Sequence, residues 1–343
     1  MELTDASEPL LARVSRMFAA PAFSSHRVEQ LVPMADGHAG HTFCLGLCDQ
    51  TGRRSQHILK MGPPGVARKG STDIFRQSAL LKRLRAQGLP VPDIEWASAK
   101  EEALGAPFIV MRRIPGRSLI IWDPHPSFLT PQVDHSALWR DGARALADIH
   151  RIDHRVHLAD WEEGTSLESE LDRWSSLIRH SEDEECRERL RYLEEKLREA
   201  MPLGDPVGLV HGDFQPGNIL FQDRRITGVI DWDLAMIGPQ GIDLGWYLMM
   251  ADANSWDSRW RPVSSAPRKD IVAAYAQAGG PALAHLGWYQ AFAHFRFAAI
   301  AGLNLKLHRS GRRVDGIWER FAISVPRLLS AGSKILHQAK LHD

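Results

Sequence analysis

The sequence of 343 residues predicts an α+β fold with two lobes. A small N-terminal lobe, residues 1–113, would hold an antiparallel sheet and one main helix, and residues 114–343 would form a larger, mostly helical C-terminal lobe. Three observations predict this division. The first third contains short apolar runs separated by a turn, residues 112–116 resemble a hinge, and helical periodicity dominates the rest of the chain.

The strands of the first lobe are predicted from two apolar runs that follow an amphipathic run at residues 10–20. Residues 42–47 and 56–61 are short and apolar, and the polar residues 50–54 between them form a turn-like stretch, which together predict a β-hairpin. The Gly-Pro-Pro-Gly sequence at residues 62–65 then ends the second strand.

The main helix of the first lobe is predicted over residues 72–87. Ser71 or Thr72 can act as its N-cap, and Gly88 ends it. A further strand, residues 107–111, leads into the hinge.

The second lobe is predicted to be helical at residues 135–152, 165–180, 183–200 and 286–307. The exception is residues 207–233, where apolar strand segments flank polar clusters. This exception carries the chemistry.

Composition limits the functional classes. Because 42 basic residues balance 42 acidic ones, broad attraction to nucleic acid or to an anionic membrane is not expected. Three cysteines cannot build a disulfide framework and fit a reducing compartment. No signal peptide and no apolar run of roughly 18 residues is seen, so we expect a cytoplasmic protein without membrane association. We expect the protein to be either a monomer or a homodimer.

The decisive segment is residues 209–220, in which one apolar strand leads into a loop and another leaves it. The loop presents Asp213 and, five residues later, Asn218; a following strand ends in Asp231 and Asp233. Such residues also favour ordinary turns. However, the fixed offset and the second acidic strand end favour a catalytic site.

Phosphoryl transfer needs this set of groups. One carboxylate must orient the acceptor hydroxyl and accept its proton, a role that suits Asp213. Asn218 and Asp231 could hold Mg²⁺ against the triphosphate oxygens of ATP, because hard oxygen ligands match that ion.

Residues 211–218 (HGDFQPGN), 230–233 (IDWD) and 238–246 (GPQGIDLGW) resemble the aminoglycoside phosphotransferase and choline kinase-like branch of the protein-kinase-like fold. Within it, the chain is most similar to bacterial phosphotransferases that resemble the kinase domain of acyl-CoA dehydrogenase family members 10 and 11. The resemblance implies that Asp213 is the catalytic base, that Asn218 and Asp231 are metal ligands, and that Asp243 anchors the loop. Pro239 and Gln240 depart from the family pattern.

The nucleotide contacts are predicted in the first lobe. Lys60 ends a strand where a kinase needs a cation for the α- and β-phosphates. Gly37 and Gly40 precede the first strand of the hairpin and could place backbone N–H groups over phosphates, or form an ordinary turn. Met111, where a strand meets the hinge, is a further candidate nucleotide contact.

The resemblance implies a glutamate on the first-lobe helix as partner of Lys60, but the matching position holds Gln77. An amide loses the stronger charge-assisted pairing, and Asp73, one turn earlier, could substitute. If the ordinary pairing is missing, Gln77→Glu should raise activity, whereas no change would mean that Asp73 or another group already serves. If the contact between Lys60 and the nucleotide is impaired, the chain would instead be a pseudokinase, which binds a nucleotide or metabolite without turnover.

The acceptor is expected to be a small hydroxylated molecule. Residues 231–243 leave no room for a peptide-docking segment. The resemblance suggests hydroxy acids or their CoA thioesters, while aminoglycoside or macrolide antibiotics and choline-like alcohols stay open. A metal-dependent hydrolase would need more ligands around the loop.

Two other clusters carry weaker signals. His150, His154 and His157 could be read as a zinc site, but surface or capping roles are favoured. An aromatic stripe that includes Trp246 and Phe295 could line a substrate cleft, although such stripes more often form a core.

Overall fold

The structure is a computed structural model that describes residues 9–23, 25–34, 41–63 and 70–339. The chain divides into two compact units. The N-terminal unit comprises Met1–Gly116 and Thr227–Leu234, and the C-terminal unit comprises Arg117–Ile226 and Ala235–Asp343. The predicted α+β class, with an antiparallel sheet and a mostly helical second lobe, is confirmed.

The N-terminal unit contains a five-stranded antiparallel sheet in the order β1-β2-β3-β5-β4. The predicted hairpin corresponds to β2 and β3, and the predicted strand at residues 107–111 to β5; the sequence did not predict β1 and β4, which form the two edges. The five strands are β1 (Arg27–Pro33), β2 (His41–Cys48), β3 (Arg54–Met61), β4 (Ile94–Ser98) and β5 (Phe108–Arg112).

A hydrophobic core joins this sheet to α1 (Leu10–Ala19). Because side chains alternate along a strand, Leu59 and Met61 of β3 enter the core, and Lys60 between them belongs to the opposite face. The position of Lys60 outside the apolar core therefore follows directly from the strand periodicity.

The main helix α2 is Arg76–Ala86, shorter than predicted at its N-terminus. Residues Gly70–Thr72 form a 3₁₀ turn instead, and the helix begins after Phe75 without a side-chain cap. The expectation that Ser71 or Thr72 caps the helix is wrong, because the chain turns again at Asp73, whose Oδ1 accepts the N–H of Phe75 at 3.1 Å.

The C-terminal unit is built mainly from helices. The helices predicted at residues 135–152, 183–200 and 286–307 are confirmed, whereas the one predicted at 165–180 is shorter and followed by a 3₁₀ turn. No helix in the described ranges is long and apolar enough to cross a membrane. The helices are α3 (His135–His150), α4 (His154–His157), α5 (Leu167–Ser175), α6 (Glu184–Glu199), α7 (Gly241–Ala251), α8 (Arg268–Gln277), α9 (Leu286–Arg309), α10 (Ile317–Ala322) and α11 (Val325–Ala339).

Five short strands accompany these helices. Strand β7 pairs with β10 and β6 pairs with β8, both antiparallel, and the boundary between the two units falls inside β9. The strands are β6 (Arg117–Ser118), β7 (Val207–Val210), β8 (Ile219–Gln222), β9 (Arg225–Val229) and β10 (Met236–Pro239).

Helix α9 forms the centre of the C-terminal unit and packs closely against α7. A Cβ atom added at Gly245 would lie 2.5 Å from the carbonyl carbon and oxygen of Tyr289, so only glycine permits this approach. The aromatic stripe belongs to the core, as favoured above, since all its members are buried: Trp246, Trp288, Tyr289, Phe292 and Phe295.

Candidate active site

The N-terminal unit holds a buried cluster of charges around Lys60. The side chain is 8% exposed, and Nζ lies 3.0 Å from Oδ1 of Asp231. The same ammonium donates a hydrogen bond to Oδ1 of Asp233. The structure therefore brings together two of the predicted site residues, Lys60 and Asp231, and adds a second carboxylate.

Electrostatics favour the charged form of Lys60. Burial alone would lower its pKa, but the carboxylates of Asp231 and Asp233 raise the pKa above 10.5. Burial raises the pKa of Asp233, and its repulsion with Asp231 adds to this, while Lys60 acts in the opposite direction. A protonated Lys60 thus offsets the cost of burying the Asp233 carboxylate.

The backbone places both carboxylates near Lys60. Asp231 has φ of +63°, the left-handed conformation that Asp tolerates better than most residues, and Trp232–Leu234 continue as a 3₁₀ turn. Arg76 donates from Nη2 to the backbone oxygen of Asp233 at 2.8 Å. The side chain of Asp231 stays 38% exposed, whereas that of Asp233 is 9% exposed.

Gln77 lies on α2 beside this cluster but does not pair with Lys60 directly. Its Nε2 donates to Oδ1 of Asp233 at 2.5 Å. Asp73 is engaged with the N–H of Phe75, as described above. In this structure the carboxylates that contact Lys60 are those of Asp231 and Asp233, and Gln77 reaches the lysine only through Asp233.

In the C-terminal unit, the loop after β7 is fixed by Asp243, the third residue of α7. Its carboxylate accepts the N–H of His211 at 2.6 Å and the N–H of Gly212 at 2.8 Å. Gly212 has φ of +86°, a conformation that favours glycine. The predicted anchoring role of Asp243 is confirmed.

Asp243 is itself held in a buried network. His150 Nε2 lies 3.2 Å from Oδ2 of Asp243, and His150 Nδ1 lies 2.7 Å from the hydroxyl of Tyr275. Since a carboxylate only accepts, Nε2 of His150 carries a proton, and Nδ1 is hydrogen-bonded to the Tyr275 hydroxyl. Gln240, one of the two departures from the family pattern, donates from Nε2 to the His150 carbonyl at 2.8 Å.

This network keeps Asp243 ionised. Burial alone would raise its pKa, but the hydrogen bond from His150, together with the nearby imidazoles of His150 and His211, lowers the pKa below 3.8. His150 is buried and holds the loop through Asp243, which differs from the surface or capping role favoured above. Within the described ranges, no group of three or more His, Cys, Asp or Glu side chains could hold a metal ion.

The loop presents Asp213 and Asn218 together, as predicted. Asn218 donates from Nδ2 to the backbone oxygen of Asp213 at 2.8 Å and to its Oδ2 at 3.0 Å. Gln215 donates from Nε2 to the same carboxylate, at 3.2 Å to Oδ1 and 3.3 Å to Oδ2. Two amides therefore orient the Asp213 carboxylate.

A buried arginine supports this loop from α9. Arg296 donates from Nη2 to the carbonyl of Gly212 at 2.6 Å. Its guanidinium carbon lies 4.4 Å from the ring centroids of both Trp174 and Trp246, a cation–π arrangement on two faces. Burial lowers the pKa of Arg296, and the acidic side chains of Glu170 and Asp213 partly offset this effect.

Three further residues were predicted to contact the nucleotide: Gly37, Gly40 and Met111. Gly37 and Gly40 lie outside the described residues. Met111 is buried in β5, where its backbone is paired with Ile58 of β3 and Ile94 of β4. Its role at the nucleotide stays a prediction.

Sequence reasoning missed the site roles of Asp233 and Gln215, and it considered Arg296 only as a member of the stripe that could line a substrate cleft. Asp233 and Gln215 each follow a predicted site residue by two positions, so their place in the motifs was a usable signal. Arg296 lay within the aromatic stripe of α9, where a single charge among apolar residues is itself informative.

The family is decided by a match to the model of the phosphotransferase enzyme family over residues 37–289, well over half of the chain. The chain belongs to this family. The matched range includes Lys60, Asp213, Asn218 and Asp231.

Relatives agree with the predicted resemblance. The chain is 27% identical over 269 residues to probable acyl-CoA dehydrogenase IBR3 of Arabidopsis thaliana, covering 71% of this chain and 32% of the relative. It is 25% identical over 288 residues to acyl-CoA dehydrogenase family member 10 of Mus musculus, covering 79% and 26%. The chain thus spans a third or less of the length of these relatives.

Solved structures share the fold. A protein from Ralstonia eutropha, provisionally described as an aminoglycoside phosphotransferase, has a TM-score of 0.73 at 20% identity, over 95% of this chain and 98% of that one. A thermostable mutant of aminoglycoside phosphotransferase APH(4)-Ia, in ternary complex with AMP-PNP and hygromycin B, has a TM-score of 0.56 at 17% identity, over 94% and 97%. These neighbours confirm the two-lobed phosphotransferase fold.

Proposed function

We propose that this phosphotransferase uses ATP and transfers the γ-phosphate to a hydroxyl group of a small molecule. The observation that carries the proposal is the Asp213 carboxylate, which two side-chain amides orient within a loop pinned to the buried Asp243. Family membership supports phosphoryl transfer, and the bound AMP-PNP of the APH(4)-Ia neighbour supports ATP as donor.

In this proposal, Asp213 orients the acceptor hydroxyl and accepts its proton. The amide N–H groups of Gln215 and Asn218 hold the carboxylate in one orientation. This orientation favours transfer of the proton from the acceptor hydroxyl to Asp213. The loop cannot shift easily, because its backbone N–H groups are bonded to Asp243 and its Gly212 carbonyl to Arg296.

Asn218 and Asp231 are proposed as the protein ligands of Mg²⁺. Their donors fit that ion: Nδ2 of Asn218 faces Asp213, which leaves the amide oxygen as the coordinating atom, and the Asp231 carboxylate is partly exposed. When bound, Mg²⁺ neutralises charge on the triphosphate oxygens.

Lys60 is proposed to contact the α- and β-phosphates. Its raised pKa means that it carries a full positive charge at neutral pH, and its ammonium is directed by two carboxylates. Phosphate oxygens are chemically similar acceptors, so one of these contacts can be exchanged for a contact with the nucleotide.

The acceptor is proposed to be a hydroxy acid or its CoA thioester, or an antibiotic of the aminoglycoside or macrolide type. The first class is supported by the acyl-CoA dehydrogenase relatives, and the second by the structural neighbours. The alternative, a pseudokinase that binds nucleotide without turnover, was suggested by Gln77. The ion pairs of Lys60 with Asp231 and Asp233 argue against it.

The test is a screen for ATP consumption over these acceptor classes, with the wild type and Asp213→Asn compared on each positive compound. We expect the variant to be slower by at least about 100-fold, the scale of general-base catalysis. Asp148→Asn, a matched change at a half-exposed ion pair on α3, should leave turnover unchanged.

An Asp213→Asn variant as active as the wild type would overturn the assigned base. Tight binding of ATP with Mg²⁺ but no consumption with any acceptor would favour the pseudokinase.

A further inference from the structure

We propose that Asp233 is the positioning residue of Lys60, and that Gln77 is a neutral donor that holds Asp233 in place. This inference rests on the proposed nucleotide role of Lys60. The carboxylate that directs Lys60 would then belong to a residue 173 positions further along the chain, and not to a residue of α2.

The two carboxylates at Lys60 differ in exposure. The side chain of Asp231 is 38% exposed, as a ligand for a metal ion must be, whereas that of Asp233 is 9% exposed and its backbone oxygen is bonded to Arg76. When Asp231 engages a cation, its attraction for Lys60 weakens. Asp233 is then the carboxylate that keeps the ammonium directed.

Gln77 determines how Asp233 is held. Oδ1 of Asp233 accepts from both Nζ of Lys60 and Nε2 of Gln77, and Gln77 is 2% exposed. A carboxylate at position 77 would lie at hydrogen-bond distance from the carboxylate of Asp233, with little water to screen the repulsion. The amide therefore suits this position better than a carboxylate would, and we expect Gln77→Glu to lower activity.

A charge-conserving exchange between positions 77 and 233 tests this arrangement. Gln77→Glu adds a second carboxylate, Asp233→Asn removes the one present, and the double variant restores one carboxylate and one amide with donor and acceptor reversed. The readouts are the thermal unfolding midpoint without ligand and the Kd of ATP in the presence of Mg²⁺.

We expect each single change to lower the midpoint by at least about 3 °C and to weaken ATP binding about tenfold, the effect of one charge-assisted hydrogen bond. The double variant should recover most of both losses. Losses that simply add in the double variant would overturn the proposal, since independent sites behave additively.

Lys60→Met shows whether Asp233 acts through the lysine. In that background, Asp233→Asn should change the Kd of ATP by less than about twofold, because the group it positions is absent. An undiminished tenfold effect would mean that Asp233 contacts the nucleotide by another route.

If a variant at position 233 fails to fold, Gln77→Met still tests whether a negative charge at position 77 is repelled by Asp233. Methionine has a similar shape but adds no charge, so Gln77→Glu should be the more damaging change; equal effects would contradict the proposed repulsion. If the wild type binds no ATP, the proposed function fails, while the unfolding midpoints still test the contact of residues 77 and 233.

Discussion

The substitution Asp243→Asn tests directly whether Asp243 anchors the loop that carries Asp213. The buried carboxylate accepts three donors: the N–H groups of His211 and Gly212 and Nε2 of His150. An asparagine has one oxygen to offer and must turn its own NH₂ group towards at least one of these donors. The substitution preserves shape and volume, so its effect reports the hydrogen bonds and the charge.

The expected loss of unfolding free energy is about 2–4 kcal/mol. A hydrogen bond to a charged group contributes about 1.5–3 kcal/mol, and a buried donor left without an acceptor costs about 1–3 kcal/mol. The removal of a buried charge recovers part of this, because the Asp243 carboxylate no longer has to be desolvated.

The assay is chemical denaturation followed by tryptophan fluorescence, combined with ATP turnover on the acceptor found in the screen. Asp148→Asn, at a half-exposed position on α3, is the control and should stay within about 0.5 kcal/mol of wild type. Turnover of Asp243→Asn should fall because His211 and Gly212, which precede Asp213, lose their fixed acceptor. A variant as stable and as active as the control would refute the anchoring role.

Three further changes have defined outcomes. Arg296→Met removes the donor to the Gly212 carbonyl, and turnover should fall at least about tenfold with a smaller effect on stability, since a buried cation replaced by an apolar side chain is often tolerated. Gly245→Ala places a methyl group 2.5 Å from the Tyr289 carbonyl, and the unfolding free energy should drop by about 1–3 kcal/mol or more. Burial lowers the pKa of His294 below 6.5, so stability should fall as the pH drops through 6.5, where the unfolded chain takes up the proton, and His294→Gln should weaken this dependence.

One of these changes has a matched control, and each has an outcome that would contradict it. Gly316→Ala is the match for Gly245→Ala, because a Cβ atom there meets nothing within 4 Å; equal stabilities would contradict the close packing of α7 and α9. Arg296→Met would contradict the positioning role if its loss of turnover were explained by unfolding at the assay temperature. An unchanged pH dependence in His294→Gln would contradict the neutral buried imidazole.

The elements that the sequence predicted well have strong local signals. The β2–β3 hairpin has two apolar runs around a polar turn, α3 and α6 have sustained helical periodicity, and α9 is a long aromatic-rich run. The loop with Asp213 and Asn218 was predicted because its spacing is short and fixed. In each case the information lies within about 25 residues of sequence.

What the sequence did not predict depends on distant contacts. Strands β1 and β4 are sheet edges with weak apolar alternation, and the start of α2 is set by a turn at Asp73. The contact of Gln77 with Asp233 was not predicted, because the two residues lie 156 positions apart in the sequence. Local sequence pattern cannot show that Asp231 and Asp233 both contact Lys60, which lies more than 170 residues earlier in the chain.

The central proposal is that Lys60, Asn218 and Asp231 bind the triphosphate and Mg²⁺ of ATP, and that Asp213 acts as the base. A crystal structure of the chain with AMP-PNP and Mg²⁺ tests it most directly. The account predicts a metal bound by the amide oxygen of Asn218 and the carboxylate of Asp231, with Nζ of Lys60 about 3 Å from a phosphate oxygen. A nucleotide bound elsewhere, or a metal held without either side chain, would contradict it.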